Sequence, residues 1–203
     1  MNSFLIYLLK IISTWFHRFK KLWLRHINFI LPNVINLFKR RIILSDHPSF
    51  NQKMICEGLG VVQIGKNCSF GYKLGGFNRI GIIEVQARYN NAKIEIGNNI
   101  STNNNVLLIA VNYIKVGDNT LIGQNVTILD HDAHSINYLK RREIGEIGKV
   151  IVGENVWIGN NVIILKNSEI GNNTIVAAGA VVNGKFPSNV IIGGVPAKII
   201  KSL

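Results

Sequence analysis

The sequence predicts an all-β fold, a parallel β-helix of triangular coils, preceded by an amphipathic helical segment. Three observations predict it. An aliphatic residue recurs every six positions at Val152, Ile158, Ile164, Ile170, Val176 and Val182. Five of these are followed by a small or turn-permissive residue, namely Gly153, Gly159, Gly171, Ala177 and Asn183. Residues 1–45 have a different character, with eight basic side chains and no acid. A period of six fits neither a 3.6-residue helix nor a two-residue strand, so it reads as a structural repeat.

The helical segment comes first. Its apolar stretch from Phe4 to Leu31 is interrupted by charge and never reaches the roughly 18 to 20 uncharged residues a membrane span needs. Positive charge follows the first apolar run and no small-residue cleavage site stands out, so a signal peptide is not expected. At 100° per residue, Leu8, Ile11, Ile12, Trp15, Phe16, Phe19, Leu22, Trp23 and Ile27 fall on one face, and Lys10, Thr14, His17, Arg18, Lys21 and Arg25 on the other. An aromatic-aliphatic face opposite a purely cationic one suits an anionic membrane surface, the helix lying in the interface plane. The same face also suits packing on the protein body or between subunits. Pro32 is expected to end the helix, with a second short basic turn between Val34 and Leu44. No nucleic-acid-binding fold accompanies the basic segment.

The β-domain is expected over residues 46–203. It carries 15 basic and 11 acidic side chains, so the net charge of +12 resides mainly in the first 45 residues. Hexads begin at Ile64-Gly65 and Phe70-Gly71, lapse between Leu74 and Ala92, and return at Ile96-Gly97, Val116-Gly117, Ile122-Gly123 and Ile128. The lapse, with Gly75-Gly76 and Arg88-Tyr89-Asn90-Asn91, reads as turns or irregular coil. Each hexad reads as a short strand and a corner, three to a coil, with the aliphatic residue pointing to the axis. Burial there contributes about 1.5–3 kcal/mol per residue. Gly and Asn cluster at the corners, as in Ile-Gly-Asn-Asn at 96–99, 158–161 and 170–173, where positive φ is tolerated. Alternation turns Val156 and Ile158 inward and Trp157 outward. Ile128 and Val152 are 24 residues apart, a multiple of six, so a loop leaves the coils around residues 130–149 and rejoins in phase. Cys56 and Cys68 form no CxxC pair and lack zinc-type histidine spacing, which argues against a disulfide framework or structural metal.

Three stretches carry a family resemblance: Asp130-His131-Asp132-Ala133-His134, Val152-Gly-Glu-Asn-Val-Trp-Ile-Gly159 and Gly193-Gly-Val-Pro-Ala-Lys-Ile-Ile200. With the hexads, over roughly Ile64 to Ile200, the chain resembles the hexapeptide-repeat acyltransferases, in the branch of galactoside, streptogramin and polysaccharide O-acetyltransferases. The resemblance implies a left-handed β-helix, a homotrimer, and acetyl-CoA lying between neighbouring subunits. It matches the family's loop histidine, the general base, to His131 after Asn125-Val126-Thr127. The asparagine that fixes the acyl group or the site corresponds to Asn103, with Asn104 and Asn105 as neighbouring alternatives. Trp157 matches the family tryptophan. Ala178, Gly179 and Ala180 would flank the pantetheine arm, and Pro196 and Lys198 the adenine and its phosphates. Asn183-Gly184-Lys185 departs from the Thr-Lys-Asp of many relatives.

Acetyl transfer to a hydroxyl needs a base for the hydroxyl proton and donors for the oxyanion. Histidine is the natural base near neutral pH. Asp130 or Asp132 would orient or charge-stabilise the imidazole, while His134 either contacts the acceptor or is solvated. Trp157 either contacts substrate or packs against a subunit. Lys140, Arg141 and Arg142 either draw in an anionic acceptor or CoA phosphates or are simply solvated. No activated Ser or Cys accompanies the histidine, so direct transfer is expected. A γ-type carbonic anhydrase would need three zinc-binding histidines, and the repeat region has two, so no metal is expected. A non-catalytic scaffold would need neither the histidine-bearing loop nor the terminal Pro-Ala-Lys stretch. The expected function is O-acetylation of a saccharide acceptor, free or lipid-linked, in bacterial surface polysaccharide biosynthesis at the cytoplasmic face of the membrane. Acetylation of an antibiotic or free sugar is the alternative, and it would not require the basic segment.

Overall fold

In the computed structural model, which describes residues 3–74 and 81–203, three parallel sheets wind into a triangular β-helix. The first sheet holds Ile42–Leu44, Val61–Ile64, Lys93–Ile96, Tyr113–Val116, Lys149–Val152, Glu169–Ile170 and Lys185–Phe186. The second runs through Ser49–Phe50, Ser69–Phe70, Ser101–Thr102, Leu121–Ile122, Trp157–Ile158, Ile175–Val176 and Val190–Gly194, closing with the antiparallel Ala197–Ser202. Met54–Gly58, Ile83–Ala87, Leu107–Ala110, Thr127–Leu129, Ile163–Ile164 and Val181–Val182 make the third. Ile151 pairs with Glu169, Trp157 with Ile175 and Ile163 with Val181, so one coil is three hexads. All six aliphatic residues of the founding repeat are buried, as are Val156 and Ile158, whereas Trp157 is 55% exposed.

The corners divide labour between Asn and Gly differently from the sequence expectation. Among the described residues the left-handed conformation falls mainly to ten asparagines, among them Asn99, Asn161 and Asn173, each the last residue of an Ile-Gly-Asn-Asn run. Their side chains form ladders, with Asn99 Nδ2 donating to Asn119 Oδ1 (2.9 Å) and Asn173 Nδ2 to Asn189 Oδ1 (2.8 Å). Apart from Gly71, at φ +80°, the hexad glycines have ordinary φ and are required because the next coil lies against them: a Cβ on Gly153 would meet Asn172 Oδ1 at 2.4 Å, and one on Gly117 the Gly153 carbonyl oxygen at 2.4 Å.

Strands also lie where no hexad is legible. Ile83–Ala87 falls inside the interval read as irregular, because its Ile-Glu-Val-Gln-Ala alternation buries Ile83, Val85 and Ala87 without a hexad glycine. The turn expected after Arg88 is present, while Gly75-Gly76 lies outside the described residues. A complete first coil, from Ile42–Leu44 to Met54–Gly58, precedes Ile64, so β-structure begins on the N-terminal side of the boundary expected at 45.

The helical segment consists of α1 (Ser3–Arg25), a wide π-turn at His26–Ile30 and α2 (Leu31–Phe38). Pro32 does not end it. Proline has no N–H to give and would press on the carbonyl four residues back; the preceding turn is widened, with Leu31 N–H reaching the His26 carbonyl, and Pro32 sits in the first turn of α2. From the π-turn onward the segment caps the β-helix. Buried Asn33 donates to the Met54 carbonyl (2.8 Å) and accepts from Cys56 N–H (2.6 Å), and Asn36 donates to the Cys56 carbonyl (2.8 Å). These bonds satisfy backbone groups that the first strand of the third sheet would otherwise leave open at its edge. Phe29, Phe50 and Phe70 stack in series with centroids 4.1 and 5.4 Å apart, extending the core column into the cap.

α1 turns part of its cationic face toward the β-helix. His17, Lys20, Lys21 and Leu24 face the second sheet across a cavity, while Trp15, Phe16, Phe19, Leu22 and Trp23 are 53–69% exposed. The side chain of Leu8, assigned to the same face, lies outside the described residues. No helix among the described residues is long and apolar enough to cross a membrane.

Candidate active site

The excursion leaves the third sheet after Thr127–Leu129 and rejoins the first at Lys149–Val152, so Val116 pairs with Val152, twice the usual step. Its arms run antiparallel: Asp132 N–H donates to the Glu146 carbonyl (2.9 Å), Gly145 N–H to the Asp132 carbonyl (3.0 Å) and Gly148 N–H to the Asp130 carbonyl (2.7 Å). Lys166 ties both arms, at 3.1 Å from Asp132 and 3.4 Å from Glu146. Burial lowers the Lys166 pKa, but the hydrogen bonds and charges of Asp132 and Glu146 outweigh it and hold it above the usual lysine value. A 3-10 turn, Tyr138–Lys140, forms the tip, where Ile136, Tyr138 and Leu139 are 77–85% exposed.

His131 and Asp130 sit at the root of this loop, both buried. Of the two aspartates considered beside His131, Asp130 is the partner: its Oδ1 lies 2.9 Å from His131 Nδ1, whereas Asp132 is engaged by Lys166. The Asp130 carboxyl also accepts from the backbone N–H groups of Val111 (2.9 Å), Asn112 (2.8 Å) and Tyr113 (2.8 Å). Surrounded by donors, it accepts from Nδ1–H as well, which leaves the lone pair of a neutral imidazole on Nε2. Nε2 faces Arg88 Nη1 at 3.5 Å. Arg88 is held in turn by Gln86 Oε1 (2.8 Å), and Gln86 donates to Glu84. Arg88 was not singled out from sequence; it follows a strand whose two-residue alternation was legible but outside the hexad phase.

Asn103 and Trp157 are brought together elsewhere, along the second sheet. With Tyr72, Leu121, Gly123 and Asn160 they line a cleft of about 260 Å³. The Asn103–Asn105 run separates by function: Asn104 is buried and bonded to the Tyr72 backbone, Asn105 takes the corner with φ +58° and bonds Gln52 and Asn125, and half-buried Asn103 lines the cleft. Gly179 N–H bonds the Asn160 carbonyl (2.8 Å), placing Ala178, Gly179 and buried Ala180 one coil further on. Pro196, after a cis peptide bond, and Lys198 belong to the terminal antiparallel hairpin of the same sheet. The departure at Asn183-Gly184-Lys185 is a shortened corner: Gly184 adopts φ +133° and Lys185 pairs with Glu169, two residues fewer than a full coil.

Within one chain the two groups stay apart. His131 and Asp130 occupy the corner after the third sheet, whereas Asn103, Trp157 and Ala178–Ala180 follow the second sheet and its corner. His134, Arg141 and Arg142 are exposed on the excursion, and none is hydrogen-bonded to His131 among the described residues. No cluster of three or more potential metal ligands occurs among the described residues.

Hexad coils interrupted by a loop that seals a His–Asp pair, beside an open cleft on a neighbouring face, define a hexapeptide-repeat transferase. Residues 149–184 match the family model for bacterial transferase hexapeptide (six repeats). A protein of Escherichia coli assigned as a lipopolysaccharide biosynthesis O-acetyl transferase is 32% identical over 153 residues, 70% of this chain and 72% of that protein. The galactoside O-acetyltransferase of E. coli is 35% identical over 114 residues, 55% of each chain. Among solved structures, an N-acyltransferase from Bacillus cereus in complex with dTDP and 3-hydroxybutyryl-CoA superposes with TM-score 0.64 at 20% identity, over 84% of this chain and 87% of that one. A hexapeptide-repeat acetyltransferase from Vibrio cholerae complexed with acetyl-CoA gives 0.54 at 24%, over 88% and 81%. The chain belongs to the hexapeptide-repeat acyltransferase family. The left-handed β-helix expected from the sequence is its fold.

Proposed function

We propose that the protein transfers an acetyl group from acetyl-CoA to a hydroxyl of a saccharide acceptor in surface polysaccharide biosynthesis. The observation that carries this reading is the buried His131–Asp130 pair, whose polarity leaves Nε2 as a proton acceptor. In the reaction Nε2 takes the acceptor's hydroxyl proton as its oxygen attacks the thioester carbonyl. The tetrahedral oxyanion collapses, the C–S bond breaks, and the imidazolium returns the proton to the departing CoA thiolate. Relatives bear on the substrates: two are named for O-acetyl transfer in lipopolysaccharide biosynthesis and to galactosides, and a solved relative holds acetyl-CoA.

The homotrimer belongs to the same reading. Its support is the separation of His131 from Asn103 and Trp157 on different corners, which a neighbouring copy would bridge, and the exposed apolar tip at Ile136, Tyr138 and Leu139. Peripheral attachment to the inner face of the cytoplasmic membrane is proposed for α1, supported by its exposed aromatic face and its lack of acids. The test is acetyl-CoA consumption, read as thiol release, against sugars, nucleotide sugars and oligosaccharides. Thiol release with at least one saccharide, lost in His131→Ala, is expected; no saccharide-dependent release would sink the proposal.

A further inference from the structure

A cavity of about 730 Å³ separates α1 from the second sheet, within the ~300–1,000 Å³ range of small-molecule sites. Its walls are chemically one-sided. His17, Lys20 and Lys21 enter from α1 and Lys73 from the loop after Ser69–Phe70, and no acid lines it among the described residues. None of these lysines forms an ion pair among the described residues. The floor is a column of hydroxyls, because Ser49, Ser69 and Ser101 occupy the same outward register in three successive coils. Holding three cations around hydroxyls costs electrostatic repulsion unless an anion joins them, and phosphate oxygens accept from both groups.

The cavity adjoins the cleft lined by Asn103 and Trp157, since Tyr72, Ser101 and Thr102 line both. Below Ser101 the same register passes to Leu121, Trp157 and Ile175, so the column changes from hydroxyl to apolar as it enters the cleft. We infer that this cavity binds the phosphate or diphosphate of a carrier to which the acceptor sugar is attached, with the sugar lying over Trp157. The inference rests on the proposed saccharide acetylation and narrows its substrate to a phosphate-linked sugar. Two carriers share that chemistry, a polyprenyl chain and a nucleoside.

Binding to the full-length protein, without acetyl-CoA, tests it by calorimetry with four probes: farnesyl diphosphate, dTDP, farnesol and CoA. Lys20→Ala/Lys73→Ala removes two exposed cavity charges, Lys20→Arg/Lys73→Arg keeps them, and Lys10→Ala/Lys39→Ala removes two charges outside the cavity. At least one diphosphate probe is expected to bind, to weaken about tenfold or more in the cavity alanine pair, and to change little in the other two variants. Preference for farnesyl diphosphate assigns a lipid carrier, and preference for dTDP a nucleotide carrier. The inference is overturned if neither diphosphate binds, if farnesol binds as tightly as farnesyl diphosphate, if the cavity pair binds both diphosphates like wild type, or if CoA is the one probe that weakens. Failure of the acetylation reading looks different: diphosphate binding and its loss persist while no saccharide supports thiol release.

Discussion

Asp130 and His131 are adjacent in sequence, yet their side chains meet at 2.9 Å only because the Asp130 carboxyl is anchored from the opposite side by backbone N–H groups of residues 111–113. The pair is therefore built into the coil rather than carried freely by the loop. His131→Ala should reduce transfer by about 10²–10⁴-fold with unchanged circular dichroism and oligomer mass. Asp130→Ala should in addition lower stability by about 1–3 kcal/mol, because three backbone donors, that of Val111 buried, lose their acceptor. Urea unfolding of the two variants separates the effects, and equal stability would refute the anchoring role.

Residues Trp15, Phe16 and Phe19 give the membrane proposal a test that deletion of residues 1–45 could not. Such a deletion would remove buried Phe29, Asn33 and Ile42 and expose the first coil. Replacing the three exposed aromatics with Ser should leave melting unchanged and release the protein from phosphatidylglycerol vesicles. Retained vesicle binding would favour packing of α1 between subunits.

The ladders predict unequal costs at neighbouring corner positions. Gly153→Ala forces a Cβ toward Asn172 and should be strongly destabilising, while Asn155→Ala, at φ 54°, should cost about 1–2 kcal/mol for the left-handed backbone plus its 2.9 Å bond to Asn173. Thermal melts rank them, and a tolerated Gly153→Ala would show that the coils can separate.

Both cysteines are buried and free. Burial pushes the Cys56 thiol up to about 12, and burial is also the main cause raising Cys68. Neither should react with a thiol reagent in the native protein near neutral pH. The released CoA thiol can then be measured directly; rapid labelling of two thiols per chain without denaturant would contradict the buried placement.

Lys166 sets a pH response in the loop that carries His131. Its folded pKa is raised, so the tie to Asp132 and Glu146 is intact below the ordinary lysine value of about 10.4 and is lost as pH rises through the folded value. Proteolysis within residues 132–146 should accelerate in that alkaline range, and Lys166→Ala should show the same cleavage at neutral pH. An unchanged rate in the variant would remove Lys166 from this role.

The six-residue recurrence from Val152 to Val182 determined the fold by itself, because burying the same strand position in every hexad leaves a period that neither helix nor ordinary strand can mimic. The same phase, kept from Ile128 to Val152, located the loop and with it His131. Tertiary structure decided what periodicity could not carry. Ile83–Ala87 and the first coil are strands because their neighbours supply hydrogen bonds, and Asn33 matters because it meets an open sheet edge some twenty residues away. The choice of Asp130 over Asp132, the approach of Arg88 to His131, and the inward turn of Lys20 and Lys21 all depend on contacts between coils or between helix and sheet. Such contacts join residues distant in sequence, and no local pattern of hydrophobicity or charge records them.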